Sequence, residues 1–223
     1  MSPVKVIKIK KSIFSANEKD ADILRSELKE KGIFLLNLMS SPGAGKTTTL
    51  IKLINELKKD LKIAVMEADI DSDVDAIKIL EGTGVKSIQL HTGGMCHLDA
   101  AMTREGIQGL DNEHYDLIIL ENVGNLVCPA EFDTGASMNM TILSVPEGDD
   151  KPLKYPLMYE VCNLVVINKI DTMSVFDFSL EKAEKNIHYR NPIADIIPIS
   201  AKSGEGILEL ANYLRKQVAS WRL

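Results

Sequence analysis

The sequence predicts an α/β fold, a mostly parallel sheet with helices on both faces, and three observations carry that prediction. Short apolar runs alternate with helical segments along the chain, the order that builds strands joined by crossover helices. Hydrophobic residues make up 45% of the 223 but aromatic residues only 5%, and the abundance of Ile, Leu and Val suits strands covered on both faces. A glycine-rich turn follows an early apolar run and opens a helix, the place where such a sheet puts its ligand chemistry.

Each element has its own warrant. Met1–Lys11 alternates Val, Ile and Lys, so residues 1–14 read as a short edge strand or an arm ahead of one domain over residues 15–223. Ser15 and Glu18 have the spacing of a capping box, and the helix they open runs to about Lys31 and stops at Gly32. An apolar strand over Ile33–Met39 leads through the glycine-rich turn into a helix from about Lys46 to Lys59. Lys62–Met66 is a strand with an acidic loop after it, Val85–Leu90 another strand, Leu98–Leu110 a helix and Leu117–Leu120 a strand. Later strands fall at Thr141–Val145, Leu164–Ile167 and Ile196–Ile199, and a helix from Ile207 closes the chain.

Composition removes several function classes. A net charge of −6 argues against a nucleic-acid partner, which needs a basic face. No apolar run approaches the ~20 residues of a spanning helix, and no apolar stretch marks a signal peptide, so no membrane partner is expected. Three cysteines make no disulfide framework and suit a reducing, cytoplasmic setting in which thiols stay available for metals.

The turn reads Ser40-Ser-Pro-Gly43-Ala-Gly45-Lys46-Thr47 and has the strand before and the helix after it that a phosphate-binding loop requires. Pro42, Gly43, Ala44, Gly45, Lys46, Thr47 and Thr48 are therefore the candidate phosphate-binding residues. Lys46 is expected to reach the β- and γ-phosphates and Thr47 to ligate Mg²⁺. Ser40 stands where the motif usually begins with glycine.

Asn168-Lys169-Ile-Asp171, at the end of a strand, resembles the guanine-specificity motif of GTPases, and Ser200-Ala201-Lys202 resembles their second base-contacting loop. In that family the aspartate carboxylate accepts from the guanine ring N–H and the exocyclic amine, a pairing adenine cannot offer, and the resemblance implies this role for Asp171. The penalty for the wrong base is in line with polar discrimination of ~10⁴. The nucleotide pair is thus expected to be GTP and GDP.

Asp116–Glu121 is an apolar strand ending in an acid, with Gly124 three residues on. That arrangement resembles the signal-recognition and MinD-like class of P-loop proteins. Asp69 is the leading candidate to hold Mg²⁺ or orient water, with Asp75 second and Glu121 at the strand-end acidic position; Lys46, Asp69 and Glu121 are the candidate catalytic residues. Asp71 and Asp73 read as an acidic helix start, and a calcium loop lacks its glycine and its terminal glutamate.

Cys96 and His97 sit on a loop entering a helix, and Cys128 lies four residues after Gly124. A helix N-terminus is expected to lower the Cys96 thiol pKa, and Asp99 to orient the His97 ring. Two thiols and an imidazole suit Ni²⁺ or Zn²⁺. Cys162, His91, His114 and His188 read as structural.

Taken in order, SSPGAGKTT, EADIDSDVDA, GGMCHLDA, ENVGNLVCP, EGDDKPLKYP and NKID resemble the HypB family, GTPases that help deliver nickel to [NiFe]-hydrogenase. The resemblance runs from about Ser15 to the C-terminus. It implies a GTP-dependent homodimer with the metal near the shared interface, working with hydrogenase-maturation proteins and the hydrogenase large subunit. No cysteine precedes Cys96, so the cysteine-rich nickel motif of some members is missing. The related urease chaperone UreG carries Cys-Pro-His where this chain has Cys-His. Lys151 and Lys154 are candidates to reach a partner's nucleotide.

Overall fold

The structure is a computed structural model that describes residues 5–8, 14–69, 73–111 and 113–223, with side chains from Asn17 onward. Its strands are β1 Lys5–Lys8, β2 Phe34–Ser40, β3 Ile63–Asp69, β4 Lys86–His91, β5 Leu117–Glu121, β6 Met138–Ser144, β7 Leu164–Asn168 and β8 Asp195–Pro198. The helices are α1 Phe14–Glu30, α2 Lys46–Leu57, α3 Val74–Thr83, α4 Ala100–Gln108, α5 Cys128–Glu131, α6 Lys151–Lys154, α7 Pro156–Glu160, α8 Leu180–Arg190 and α9 Ile207–Trp221.

All eight strands join one sheet in the order β1-β4-β3-β5-β2-β6-β7-β8, and every ladder between them is parallel. The edge-strand reading of the N-terminal segment holds, because Lys5–Lys8 pairs with Ile88–His91. Alternate residues of each strand face opposite layers. Phe34, Leu36, Leu38, Val65 and Ile119 pack with Leu50, Ile54, Leu210 and Leu214 of α2 and α9. On the other face, Leu35, Met66 and Leu120 pack with Leu24 and Leu28 of α1 and Met102 of α4, while Val165 and Ile167 pack with Ala183 and Ile187 of α8.

α5, α6, α7 and α8 lie where no helix is expected from the sequence, while α3 begins at Val74, directly after the acidic helix start read at Asp73. α3 buries only Ala76, Ile79 and Thr83, and α8 only Ala183 and Ile187. Such narrow apolar stripes give little 3.6-residue signal, and the sheet supplies what the stripes lack. α1 begins at Phe14, so Ser15 lies inside the helix rather than at its cap, and its side chain is outside the described residues. Asp71 is also outside them. Among the described residues, no helix is long and apolar enough to cross a membrane.

Because the strands are parallel, their carboxyl ends share one edge of the sheet. β2 delivers Ser40 there, β3 Asp69, β4 the segment to Cys96 and His97, β5 Glu121 and the segment to Cys128, and β7 Asn168. Ser200 follows two residues after β8. Topology alone therefore gathers every motif named above.

Candidate functional site

The phosphate loop folds as its glycines allow. Gly45 has φ +99°, and a Cβ there would lie 2.5 Å from Asn168 Nδ2, so the position needs both the left-handed backbone and the missing side chain. Pro42, Gly43, Gly45, Lys46, Thr47 and Thr48 line a cleft of about 440 Å³. Ala44 turns its methyl into the core and offers its carbonyl to Asn168 instead. Ser40 does more than tolerate the motif's usual glycine position: its buried hydroxyl accepts from Lys46 Nζ at 3.2 Å and donates to the Ser41 carbonyl at 2.8 Å. Ser41 Oγ in turn bonds Glu147, which closes a capping box on Ser144.

Asn168 ties three loops together. Its Nδ2 donates to the Ala44 carbonyl at 2.9 Å, and its Oδ1 accepts from the amides of Lys169 at 2.8 Å and Ala201 at 3.1 Å. Lys169 takes a left-handed φ of +65° and sends Nζ back to the Gly43 carbonyl at 2.7 Å. Asp171 Oδ1 accepts from the buried Ser200 hydroxyl at 2.6 Å. Lys202 is exposed at the rim.

The opposite wall of the cleft is acidic, with Glu67, Asp69, Asp75 and Glu121 beside Asn122, Val123 and Gly124. A Cβ on Gly124 would lie 3.3 Å from Pro42 and 3.4 Å from Lys46 Nζ, so this backbone stands directly over the phosphate loop. Burial first, then the charges of Asp75 and Asp69, push Glu121 up to about 7, while Lys46 pulls it down. Burial and then the neighbouring Glu121 charge push Glu67 up to about 9. Thr47, Asp69, Asp75 and Glu121 offer only oxygen, the donor set a hard divalent cation takes. Asp75, in the first turn of α3, also accepts from Lys78 at 2.9 Å.

Two of the three expected soft ligands meet. Contact with the Cys128 thiol, followed by burial, raises the Cys96 pKa. This reverses the expected lowering: α4 begins only at Ala100, and a second thiol rather than a helix end faces Cys96. Asn125 Nδ2 donates to Cys128 Sγ at 3.5 Å. His97 Nδ1 lies 4.0 Å from Cys96 Sγ, and its ring stacks on Phe132 with centroids 3.6 Å apart. Asp99 Oδ1 caps α4 by accepting from the Met102 amide at 2.9 Å. Among the described residues, no three His, Cys, Asp or Glu side chains gather around a point that could hold a metal. Cys162 is buried in the third core cluster, and Lys151 and Lys154 pair with Glu147 and Asp150 of their own chain.

Residues 34–198 match the family described as CobW/HypB/UreG, nucleotide-binding domain. The hydrogenase maturation factor HypB of Rhizobium leguminosarum bv. viciae is 42% identical over 207 residues, covering 93% of this chain and 69% of that protein. The chain belongs to the HypB family. A crystal structure of HypB from Helicobacter pylori in complex with nickel superposes with a TM-score of 0.86 and 38% identity, covering 92% of this chain and 95% of the other. The signal recognition particle receptor FtsY of Elizabethkingia anophelis, in complex with GDP, shares the fold alone, with a TM-score of 0.57, 14% identity and coverage of 92% and 72%.

Asn37, Asn139 and Asn17 help to build this HypB-family site although none of them belongs to a motif quoted above. Asn122, Asn37 and Asn139 form a side-chain ladder across β5, β2 and β6, with bonds of 3.1 and 3.0 Å, just below the cleft. Asn17 on α1 is buried; its Oδ1 accepts from the Ala100 amide and its Nδ2 donates to the Asp133 carbonyl, both at 2.9 Å. That one side chain clamps the segments that follow Cys96 and Cys128. An asparagine inside an apolar strand, such as Asn37, is the only sequence signal these networks leave.

Proposed function

We propose that this chain is a GTP-binding, GTP-hydrolysing metallochaperone that binds nickel or zinc and promotes nickel insertion into hydrogenase. The observation that supports this most is the meeting of the Cys96 and Cys128 thiols at the same sheet edge as a phosphate loop already wired to a guanine motif.

In this reading Lys46 contacts the β- and γ-phosphates, and Asp171, Asn168, Lys169, Ser200, Ala201 and Lys202 hold guanine. Thr47, Asp69, Asp75 and Glu121 would hold Mg²⁺, which would supply positive charge against the charge developing on the phosphates. Asp69 and Glu121 orient water near the γ-phosphate. The backbone from Glu121 through Gly124 follows the presence of that phosphate, and Cys128, four residues on, moves with it.

Cys96, His97 and Cys128 give at most three ligands per chain, fewer than a closed tetrahedral site needs. A second protomer of a GTP-dependent cytoplasmic homodimer completes the set, and hydrogenase-maturation proteins and the hydrogenase large subunit receive the metal. Nickel titration of wild type, Cys96→Ala and Cys128→Ser tests the ligand assignment. Both variants are expected to bind at least about tenfold more weakly; wild-type affinity in either removes that cysteine from the site.

A further inference from the structure

Glu67 opens the acidic segment EADIDSDVDA without being given a role there, and it lies in the wall of the cleft. β3 and β5 pair with Glu67 opposite Glu121, so the two carboxyls leave the same face of the sheet about 5 Å apart at their bases. Both are more than nine-tenths buried, with 4% and 1% exposure. Each keeps an Oε2 atom without a hydrogen-bond partner among the described residues. Gln89, opposite Glu67 on the far side, is fully buried, and its side-chain contact with Glu67 pulls that carboxyl's pKa down against burial.

Packing alone does not select such a row. Two adjacent buried carboxyls with open oxygens disfavour the empty fold, and an apolar pair of similar volume would serve a core better. An occupant that brings positive charge or hydrogen-bond donors to the two open Oε2 atoms makes the row favourable. The groups sharing the cleft, Thr47, Asp69, Asp75 and Glu121, have the oxygen chemistry of a small hard cation, which keeps several of its own waters. Asp69 lies two residues beyond Glu67 on the same strand face.

We propose that Glu67 is a further positioning residue of the nucleotide site, holding together with Glu121 a water of the divalent cation's hydration shell. This rests on the reading of the cleft as a GTP and Mg²⁺ site. Acceptors behind the direct ligands set the orientation of what binds the cation, and losing one typically weakens it by about 10–100-fold. Glu67 thereby fixes which face of the hydrated cation is turned toward the phosphates.

The rival account makes Glu67 a core residue that matters only for folding. Mn²⁺, whose free form is read directly by electron paramagnetic resonance, separates the two when titrated into full-length protein saturated with GDP. Glu67→Gln keeps the side-chain volume and removes the carboxyl group. It is expected to weaken Mn²⁺ by about tenfold or more, to leave GDP affinity in excess chelator unchanged, and to raise the melting temperature of the ligand-free protein. Glu67→Asp, which keeps a carboxylate one methylene short, is expected to recover part of the Mn²⁺ affinity. Mn²⁺ affinity of Glu67→Gln within twofold of wild type overturns the proposal, as does a ligand-free melting temperature lowered together with an equal loss in Glu67→Asp. If wild type itself binds no Mn²⁺ beside GDP, the cation reading of the whole cleft fails and Glu67 falls with it.

Discussion

The base side and the cation side of one cleft are built to different degrees of completion. On the base side Asn168 bonds Ala44, Lys169 and Ala201, Lys169 bonds Gly43, and Asp171 bonds Ser200, so the loops proposed to receive guanine are tied to the phosphate loop. On the cation side, Glu67 and Glu121 stand side by side with buried oxygens that have no partner among the described residues, and the Cys96 thiol faces Cys128 with His97 Nδ1 4.0 Å away. The difference teaches where binding free energy goes. A preorganised base pocket confers selectivity with little ordering cost, whereas the acidic wall gains most when charge is supplied. A nucleotide-dependent change is therefore expected on the cation side.

The comparison is broken most strongly at Asp171. Asp171→Asn removes an acceptor and presents a donor to guanine N–H groups, and GTP affinity is expected to fall by ~10³–10⁴, measured by competition against labelled GDP. The same measurement on xanthosine nucleotides, which reverse the donor pattern, should show a gain.

Asn168→Ala opens the base side itself. It leaves the Lys169 and Ala201 amides and the Ala44 carbonyl without their side-chain partner in a buried setting, at about 1–3 kcal/mol each where water cannot enter. GDP and GTP should weaken together, by about a hundredfold, and calorimetry should show a lower melting temperature. Loss of GTP affinity alone would mean that this side responds to the γ-phosphate after all.

Asn17→Ala acts at the other end of the comparison. It frees the Ala100 amide and Asp133 carbonyl that hold the segments after Cys96 and Cys128. A loss of about 1–3 kcal/mol in stability is expected from the unpaired groups, with nickel binding weakened and guanine affinity unchanged. Equal nickel titrations in both proteins would show that the thiols need no such clamp.

The smallest effect is the pH dependence of the ligand-free protein. Glu121 is pushed up to about 7 and Glu67 to about 9 from the usual 4.5. The folded chain therefore holds protons that the unfolded chain releases, and this contribution is full below the usual carboxyl range. It declines as pH rises through about 7 and then about 9. The melting temperature should drop by a few degrees between neutral and alkaline pH, and Glu67→Gln should flatten that drop.

Most of the frame was legible because parallel strands are continuous apolar runs and their turns carry glycine or acids. The β2–α2 turn, Asn168, Asp171 and the strand ending at Glu121 were all readable in this way. α8 was not, since it buries only two residues, and α3 showed only its acidic start, since it buries only three. Glu67 was readable only as part of an acidic segment; its register opposite Glu121 is a property of pairing between β3 and β5, which no local pattern encodes. The Cys96 thiol shows the same limit. Its neighbour in the folded chain is Cys128, thirty-two positions away, and that contact outweighs the distance-blind expectation of a helix end. His97 stacks on Phe132, a ring with no place in any ligand motif.

The central claim is that occupancy of the nucleotide cleft changes the metal site a few residues away. The most direct measurement is nickel titration of the wild-type protein, saturated in turn with GDP and with a non-hydrolysable GTP analogue, following the thiolate charge-transfer absorption. Coupling of this kind is typically 1–3 kcal/mol, so the two nucleotide states should differ about 5–150-fold in nickel affinity, or in stoichiometry per protomer. Identical affinity and identical stoichiometry in the two states would contradict the account.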